Sequence, residues 1–284
     1  MARDAARPVI KPDPFGELSA RKGCPVVLTI AGFDPSSGAG ITTDLKVFWN
    51  HGLYGVSAIT ALTVQSTQGV REVEPASGRL LRQTLDCLAA DLPIAGIKIG
   101  MLGSAEIVEA LSAFLAVAGV DRNRIVLDPI LRSSSGAELL GQDGLRRLRD
   151  DLLPQVGWVT PNLDELTALT GVETGEDIRP DVIFDIARRL AAPAPGLNVV
   201  VTGGHLDPPD DFLLTAGGET HWFPGRRIET TSTHGTGCAF SSALLCRLVL
   251  GDAPANAVAE AKAWVTHALE TAVPIGKGRG PVVT

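Results

Sequence analysis

The sequence predicts an α/β fold in which helices cover both faces of a mostly parallel sheet. Short apolar runs alternate with segments of helical length along the chain, and most of the runs are continuously apolar. Strands buried on both faces of a sheet have this pattern, and strand–helix alternation is typical of parallel sheets. The predicted strands lie at residues 26–30, 56–64, 95–100, 125–128, 156–160 and 197–202.

Amphipathic segments of helical length follow or separate these runs. Late in the chain, the runs 212–214 and 221–223 flank a glycine-containing turn and predict a hairpin. Gly251 is expected to end the helix before it, because glycine readily adopts the left-handed conformation. The predicted helices span residues 41–51, 78–90, 104–118, 142–152, 163–170, 180–192, 236–250 and 254–272.

Residues 1–22 precede the first apolar run and contain three prolines with mixed charge. We expect a flexible N-terminal tail here, followed by a single domain over residues 23–284. The tail has no apolar core typical of a secretory signal, and no stretch of ~18 apolar residues could span a membrane. The four cysteines are too scattered to indicate a disulfide framework. We therefore expect a cytoplasmic protein.

Composition narrows the functional classes. Among 284 residues, 25 Lys and Arg against 32 Asp and Glu give a net charge of −7. This charge argues against general binding to nucleic acids or anionic membranes, which requires a basic surface. The apolar fraction of 45% and the charged fraction of 20% exclude an intrinsically disordered chain.

The strongest local motif is the segment 233–238, Thr-His-Gly-Thr-Gly-Cys, which leads directly into a predicted helix. Glycines let the backbone approach an anion closely, and amides at a helix start point towards it. Such a site can hold a transferring phosphoryl group. Cys238 at the helix start is expected to have a lowered pKa and to be able to accept a proton. A plain glycine turn with a small buried cysteine is the structural alternative.

Other loops after apolar runs are also candidates, because ligands bind beyond the carboxyl ends of parallel strands. Asn162 and Glu165 form either a helix cap or a phosphate and Mg²⁺ site. Asp128 is either a turn former or a ligand of metal-bound water. Met101 is either core filler or an apolar wall for a ring. His205 is more typical of a solvated loop residue than of a catalytic one.

The order of these motifs along the chain is more specific than any one motif alone. The chain closely resembles the hydroxymethylpyrimidine/phosphomethylpyrimidine kinases of thiamine biosynthesis, in the ribokinase-like superfamily, from about residue 26 to residue 281. The segments that carry the resemblance are 31–46, 52–55, 58–65, 98–102, 128–129, 160–165, 203–205, 233–238 and 275–281.

The resemblance implies a three-layer α/β/α sandwich of the ribokinase-like type. It implies ATP and Mg²⁺ as cofactors and a homodimer. It also implies two successive phosphoryl transfers, first to the hydroxymethyl group of 4-amino-5-hydroxymethyl-2-methylpyrimidine and then to its monophosphate.

Residue roles carry over by position. The substrate pocket would be formed by Gly32, Asp44, Gln65 and Met101, with Gln65 hydrogen-bonding to the aminopyrimidine edge. Taken alone, Asp44 is more simply a favourable charge in the first turn of a helix. The anion hole would be formed by Gly235, Thr236 and Gly237, with Cys238 as the base or as a group that orients the hydroxyl.

The remaining roles concern ATP. Asp128 and Glu165 would hold Mg²⁺, and Asn162, Thr202 and Thr233 would contact phosphate. Thr202 stands where many members have a lysine, so charge neutralisation in the second step is in question. Two alternatives stay open: a pyridoxal or pyridoxine kinase of the same superfamily, and a weakly active ligand-binding regulator.

Overall fold

The structure, a computed structural model, describes residues 23–133, 136–173, 179–204 and 206–283. Within these ranges nine strands form one sheet. In chain order they are β1 (Val26–Phe33), β2 (Tyr54–Ser66), β3 (Gly69–Pro75), β4 (Ile94–Ile99), β5 (Ile125–Leu127), β6 (Trp158–Val159), β7 (Asn198–Val201), β8 (Asp211–Leu214) and β9 (Thr220–Phe223). Their order across the sheet is β3-β2-β1-β4-β5-β6-β7-β8-β9.

The middle of the sheet is parallel, as predicted. Strands β2, β1, β4, β5, β6 and β7 pair in parallel, and in this register Leu28 lies between Val56 and Ile97. Antiparallel pairs occur only towards the two edges: β3 with β2, and the hairpin strands β8 and β9. The predicted hairpin is therefore confirmed.

Eight α-helices of the described chain cover the two faces of the sheet. They are α1 (Gly40–Asn50), α2 (Gly78–Asp91), α3 (Ala105–Leu115), α4 (Gln142–Arg147), α5 (Leu163–Thr170), α6 (Pro180–Ala191), α7 (Thr236–Val249) and α8 (Pro254–Thr271). Alternation along the strands divides the core: Val27 packs with α1, α7 and α8, whereas Leu28 packs with the layer containing α2, α3, α5 and α6. The expected three-layer sandwich is confirmed.

Some element boundaries differ from those predicted. Strand β3 was not predicted, because its sequence is polar and it lies at the edge of the sheet, where one side stays solvated. The helix predicted at 142–152 ends at Arg147 and continues as a π-helical turn over Leu148–Leu152. The proposed tail, residues 1–22, lies outside the described residues.

Parallel pairing brings the loops after β1, β4, β5, β6 and β7 to one edge of the sheet. The loop after β1 lies directly against the start of α7. Gly235, with φ +82°, has no space for a side chain, because a Cβ atom there would collide with the backbone oxygen of Gly38.

In the described part of the chain, no helix is long and apolar enough to span a membrane.

Candidate active site

The loops at this edge line one open cavity of about 1630 Å³. This volume exceeds the ~300–1,000 Å³ typical of a small-molecule pocket, so it can hold a nucleotide beside a second ligand. All the candidate site residues except Asp44 line it: Gly32, Gln65, Met101, Asp128, Asn162, Glu165, Thr202, Thr233, Gly235, Thr236, Gly237 and Cys238.

The start of α7 forms one wall of the cavity. Gly235 is the N-cap and no side chain caps the helix, so its first amides are left without an intrahelical partner. The hydroxyl of Thr236 donates to the carbonyl of Thr233 at 2.8 Å, which holds the preceding turn. Backbone amides and the helix dipole together favour a phosphate at this position.

Cys238 lies in the first turn of α7 and is only 6% exposed. Burial raises the pKa of its thiol to about 12, and the charges of Asp128 and Asp44 act in the same direction against the opposing charge of Lys98. The expectation of a lowered pKa is therefore wrong, because desolvation outweighs the effect of the helix start. At neutral pH this group is a thiol rather than a thiolate.

Two carboxyl groups line the same cavity, that of Asp128 buried and that of Glu165 half-buried. Burial raises the pKa of Asp128 to about 6 and that of Glu165 to about 8, and the charge of Asp128 contributes to the shift of Glu165. The hydroxyl of Ser241 donates to Asp128 Oδ2 at 3.0 Å. A pair of acids that repel each other in a buried site is suited to a divalent cation, which would relieve both effects.

Asn162 and Glu165 also cap α5. The Asn162 side chain accepts from the Glu165 amide at 2.9 Å, and the Glu165 carboxylate accepts from the Asn162 amide at 2.9 Å. The predicted capping box is thus present, and both residues still line the cavity. Among the described residues, no three His, Cys, Asp or Glu side chains cluster as a metal site. A cation here would need water or phosphate ligands as well, as is typical of Mg²⁺.

Gln65, Met101 and Gly32 also line the cavity. A Cβ atom at Gly32 would lie 3.0 Å from Met101 Cε. The absence of a side chain at Gly32 therefore leaves room for the Met101 side chain. Gln65 Nε2 lies 3.0 Å from His234 Nε2, and the same imidazole nitrogen lies 2.8 Å from Asp34 Oδ2. Sequence reasoning assigned His234 no role, although it belongs to the glycine-rich motif that was singled out.

Asp44 does not belong to the cavity wall. Its side chain is fully buried and forms an ion pair with Lys98 Nζ at 3.0 Å. It also accepts hydrogen bonds from Thr29 at 2.5 Å and from Ser242 at 2.8 Å. The expectation that Asp44 contacts the substrate finds no support in this structure, because its oxygens are enclosed by protein partners. Lys98 was also given no role by sequence reasoning, although a lysine within an apolar run is a signal of buried pairing.

Position 202 has a threonine and therefore no positively charged side chain. The Thr202 amide donates to the carbonyl of Pro161 at 2.9 Å, which places the residue at the cavity edge. Several arginines line the cavity elsewhere, among them Arg132, Arg226 and Arg227. Arg227 is held by a 2.8 Å hydrogen bond to the carbonyl of Leu206. His205, in the same loop as Leu206, lies outside the described residues.

Comparison with known proteins identifies the family. The sequence model of the phosphomethylpyrimidine kinase family matches residues 34–283. The hydroxymethylpyrimidine/phosphomethylpyrimidine kinase of Haemophilus influenzae is 39% identical over 260 residues, which cover 90% of this chain and 94% of that protein.

Two solved structures have the same fold. The phosphomethylpyrimidine kinase of Clostridium difficile superposes with a TM-score of 0.75 at 32% identity, over 86% of this chain and 99% of that one. An ADP complex of Bacillus subtilis pyridoxal kinase superposes with a TM-score of 0.80 at 29% identity, over 91% and 96% of the two chains. The match to the family model and the similarity to these relatives show that this chain belongs to the phosphomethylpyrimidine kinase family.

Proposed function

We propose that this chain transfers the γ-phosphoryl group of ATP to the hydroxymethyl group of 4-amino-5-hydroxymethyl-2-methylpyrimidine, and then to the monophosphate formed, for thiamine biosynthesis. The observation that carries the proposal is one cavity with three features in a chain of this family. An uncapped helix start faces it, the acid pair of Asp128 and Glu165 lines it, and Gln65 and Met101 form a wall suited to a flat heteroaromatic ring.

Different residues bind the pyrimidine, which accepts the phosphoryl group, and the phosphates of ATP, which donates it. Met101 offers an apolar surface to the ring, and Gln65 offers a donor and an acceptor to the amine and ring nitrogen. The amides at the start of α7 receive the transferring phosphoryl group. The acceptor oxygen forms a bond to the γ-phosphorus, the bond from that phosphorus to the bridging oxygen breaks, and ADP leaves.

Cys238 acts as an orienting group in this proposal rather than as a base. A thiol with a pKa of about 12 is protonated at neutral pH and cannot take the hydroxyl proton. Phosphoryl transfer through a loose transition state needs little removal of that proton before the oxygen–phosphorus bond forms. The proton then leaves with the phosphorylated product or passes to solvent.

Mg²⁺ fits the acid pair of Asp128 and Glu165. Both carboxyl groups have raised pKa values in its absence, and an added cation would favour their charged forms. When bound, Mg²⁺ neutralises charge that develops on the phosphates. Asn162 and Thr233 supply polar groups to the phosphate side of the same cavity.

A second candidate function is the phosphorylation of pyridoxal. The Bacillus subtilis pyridoxal kinase has a higher TM-score than the Clostridium difficile phosphomethylpyrimidine kinase, 0.80 against 0.75. Both acceptors are flat heteroaromatic rings with a hydroxymethyl group. The identity of 39% to the Haemophilus influenzae enzyme over nearly its whole length favours the pyrimidine.

The deciding experiment is ADP release with Mg²⁺ and ATP in the presence of the pyrimidine, its monophosphate, pyridoxal or no acceptor. Turnover of both pyrimidines supports the proposal. Turnover of the first pyrimidine alone would assign a defect to the phosphate site that lacks a lysine at position 202. Preference for pyridoxal would reassign the enzyme, and binding without any turnover would favour a ligand-binding regulator.

We also propose a homodimer located in the cytoplasm. Leu62 and Val64 on β2 expose 53% and 54% of their surfaces, so this face of the sheet has apolar side chains that a second copy could cover. The four cysteines are free, as is typical of proteins in a reducing compartment.

A further inference from the structure

Two polar contacts meet at a single nitrogen of His234. Asp34 Oδ2 lies 2.8 Å from His234 Nε2, and the carboxamide nitrogen of Gln65 lies 3.0 Å from the same atom. A carboxylate can only accept a hydrogen bond, and a carboxamide nitrogen can only donate one. One imidazole nitrogen cannot donate to Asp34 and accept from Gln65 at the same time.

The surroundings of Asp34 show that its contact with His234 Nε2 is a hydrogen bond donated by the imidazole. Its carboxylate accepts from the amides of Ser36 at 2.8 Å and Ala39 at 2.9 Å. Burial alone would raise the pKa of Asp34, but hydrogen bonds from His234 and Ser36 lower it below its usual range. Asp34 is therefore ionised at neutral pH, and His234 Nε2 must carry the hydrogen that it shares with Asp34.

Gln65 must then turn its oxygen towards His234. The nitrogen and oxygen of a carboxamide have nearly the same shape, and their assignment follows from the hydrogen-bond network. With the oxygen at this position, the His234 N–H is shared between two acceptors, Asp34 and Gln65. The contact that was unfavourable becomes a hydrogen bond.

Thr63 gives an independent argument for the same orientation. Its hydroxyl lies 2.9 Å from the carbonyl of Phe33, which can only accept, and 3.2 Å from the second polar atom of Gln65. A hydroxyl has one hydrogen, and the shorter contact with Phe33 uses it. The atom of Gln65 that faces Thr63 must therefore be the donating nitrogen.

The backbone holds His234 in this position. Its amide donates to the carbonyl of Gly280 at 2.9 Å, and its carbonyl accepts from the amide of Val282 at 3.0 Å. Gly38 lies against the ring, where any Cβ atom would collide with His234 Cδ2. The ring is only 12% exposed and is confined between the two loops.

We propose that His234 is a positioning residue for substrate selection, which fixes the Gln65 carboxamide with its oxygen towards His234 and its nitrogen towards Thr63. Gln65 then keeps one N–H and one oxygen lone pair for the acceptor. An aminopyrimidine presents an amine beside a ring nitrogen, which is the complementary pair. The ring of pyridoxal has no amine beside its ring nitrogen. This inference rests on the proposed pyrimidine kinase activity.

The first test is independent of turnover. In ¹⁵N-labelled protein, the imidazole nitrogens of His234 are assigned by comparison with His234→Gln, and their chemical shifts report which nitrogen carries hydrogen. We expect a protonated Nε2. A neutral ring protonated only at Nδ1 would overturn the proposed orientation, whatever the activity of the enzyme.

The second test is a double-mutant cycle on acceptor selectivity. His234→Ala is expected to raise KM for the pyrimidine by roughly 10-fold to 100-fold, the range for a disrupted buried hydrogen bond, with little change in kcat. His234→Gln, which retains an N–H donor, should recover part of this loss. In the Gln65→Ala background, His234→Ala should have no further effect on the preference for the pyrimidine over pyridoxal.

Met101→Ala provides the matched control, because Met101 lines the same pocket wall and has no hydrogen bond to His234. His234→Ala combined with Met101→Ala should show additive effects. Equal losses for the pyrimidine and pyridoxal, or additivity with Gln65→Ala, would refute the positioning role. Failure of the wild type to phosphorylate the pyrimidine would instead refute the proposed function, and the NMR result would still stand.

Discussion

Replacement of Asp44 by asparagine separates a structural role from a substrate contact. In the structure, Asp44 and Lys98 are fully buried and their charged groups lie 3.0 Å apart. The substitution keeps the shape of the side chain and removes its charge, so the Lys98 ammonium group loses its counter-ion. We expect Asp44→Asn to destabilise the protein while leaving the pyrimidine KM of the folded fraction nearly unchanged.

The size of the effect has an upper limit. Lys98 can lose its proton instead of remaining charged, and at pH 7 neutralising a lysine with the ordinary pKa of 10.5 requires about 5 kcal/mol. Breaking a buried ion pair by removal of one partner typically costs about 3–5 kcal/mol. The asparagine oxygen can still accept from Lys98, so we expect about 3 kcal/mol. For a chain of this size, that corresponds to a decrease in Tm of about 6–12 °C.

The loss should depend on pH with a definite sign. Burial would lower the pKa of Lys98, but the charges of Asp44 and Asp128 raise it above its usual value. Between pH 7 and 10.5 the pair therefore stabilises the wild type fully, and on the alkaline side it loses this effect as the pH rises through the higher folded pKa. In Asp44→Asn the folded pKa falls, so the stability difference from wild type should shrink as the pH rises from 7 towards 10.

The assay is thermal unfolding followed by circular dichroism, with pyrimidine KM measured at a temperature where the variant is folded. Lys98→Met combined with Asp44→Leu is the control, because it removes both charges and should be less destabilised than the sum of the single changes. An unchanged Tm together with a KM raised more than tenfold would refute the structural role and restore Asp44 as a substrate contact.

Three further outcomes follow from the site. Cys238→Ala should reduce kcat about tenfold, as for one lost hydrogen bond; a loss of roughly 10²–10⁴-fold in steady-state kinetics would instead indicate a general base. Thr202→Lys should raise turnover of the pyrimidine monophosphate in the ADP-release assay, and no gain would show that another cation already neutralises the phosphate. Because the pKa of Glu165 is about 8, the Mg²⁺ concentration for half-maximal activity should rise as the pH falls below 8. Glu165→Gln, which can still cap α5, should lose that dependence, and an unchanged dependence would exclude Glu165 as the titrating ligand.

Local patterns in the sequence predicted the parallel sheet and most of its elements. Continuous apolar runs mark strands buried on both faces, and this relation holds wherever two helical layers cover a sheet. The edge strand β3 escaped prediction because one side of it needs no apolar residues. The rule that ligands bind at the carboxyl ends of parallel strands predicts which loops line the cavity.

The roles of individual side chains depended on contacts that the sequence does not encode locally. From the sequence, Asp44 is predicted to be a helix-dipole charge or a substrate contact. Only the folded structure shows that it forms a buried ion pair with Lys98, which lies 54 positions away in the chain. The His234–Asp34 contact joins residues 200 positions apart. The helix start predicted a lowered pKa for Cys238, but burial raised it to about 12. By itself, the sequence determined the layers and the edge of the sheet where ligands bind, because backbone periodicity is local. The tertiary structure alone decided hydrogen-bond partners and protonation states, because these depend on desolvation and on charges brought together by folding.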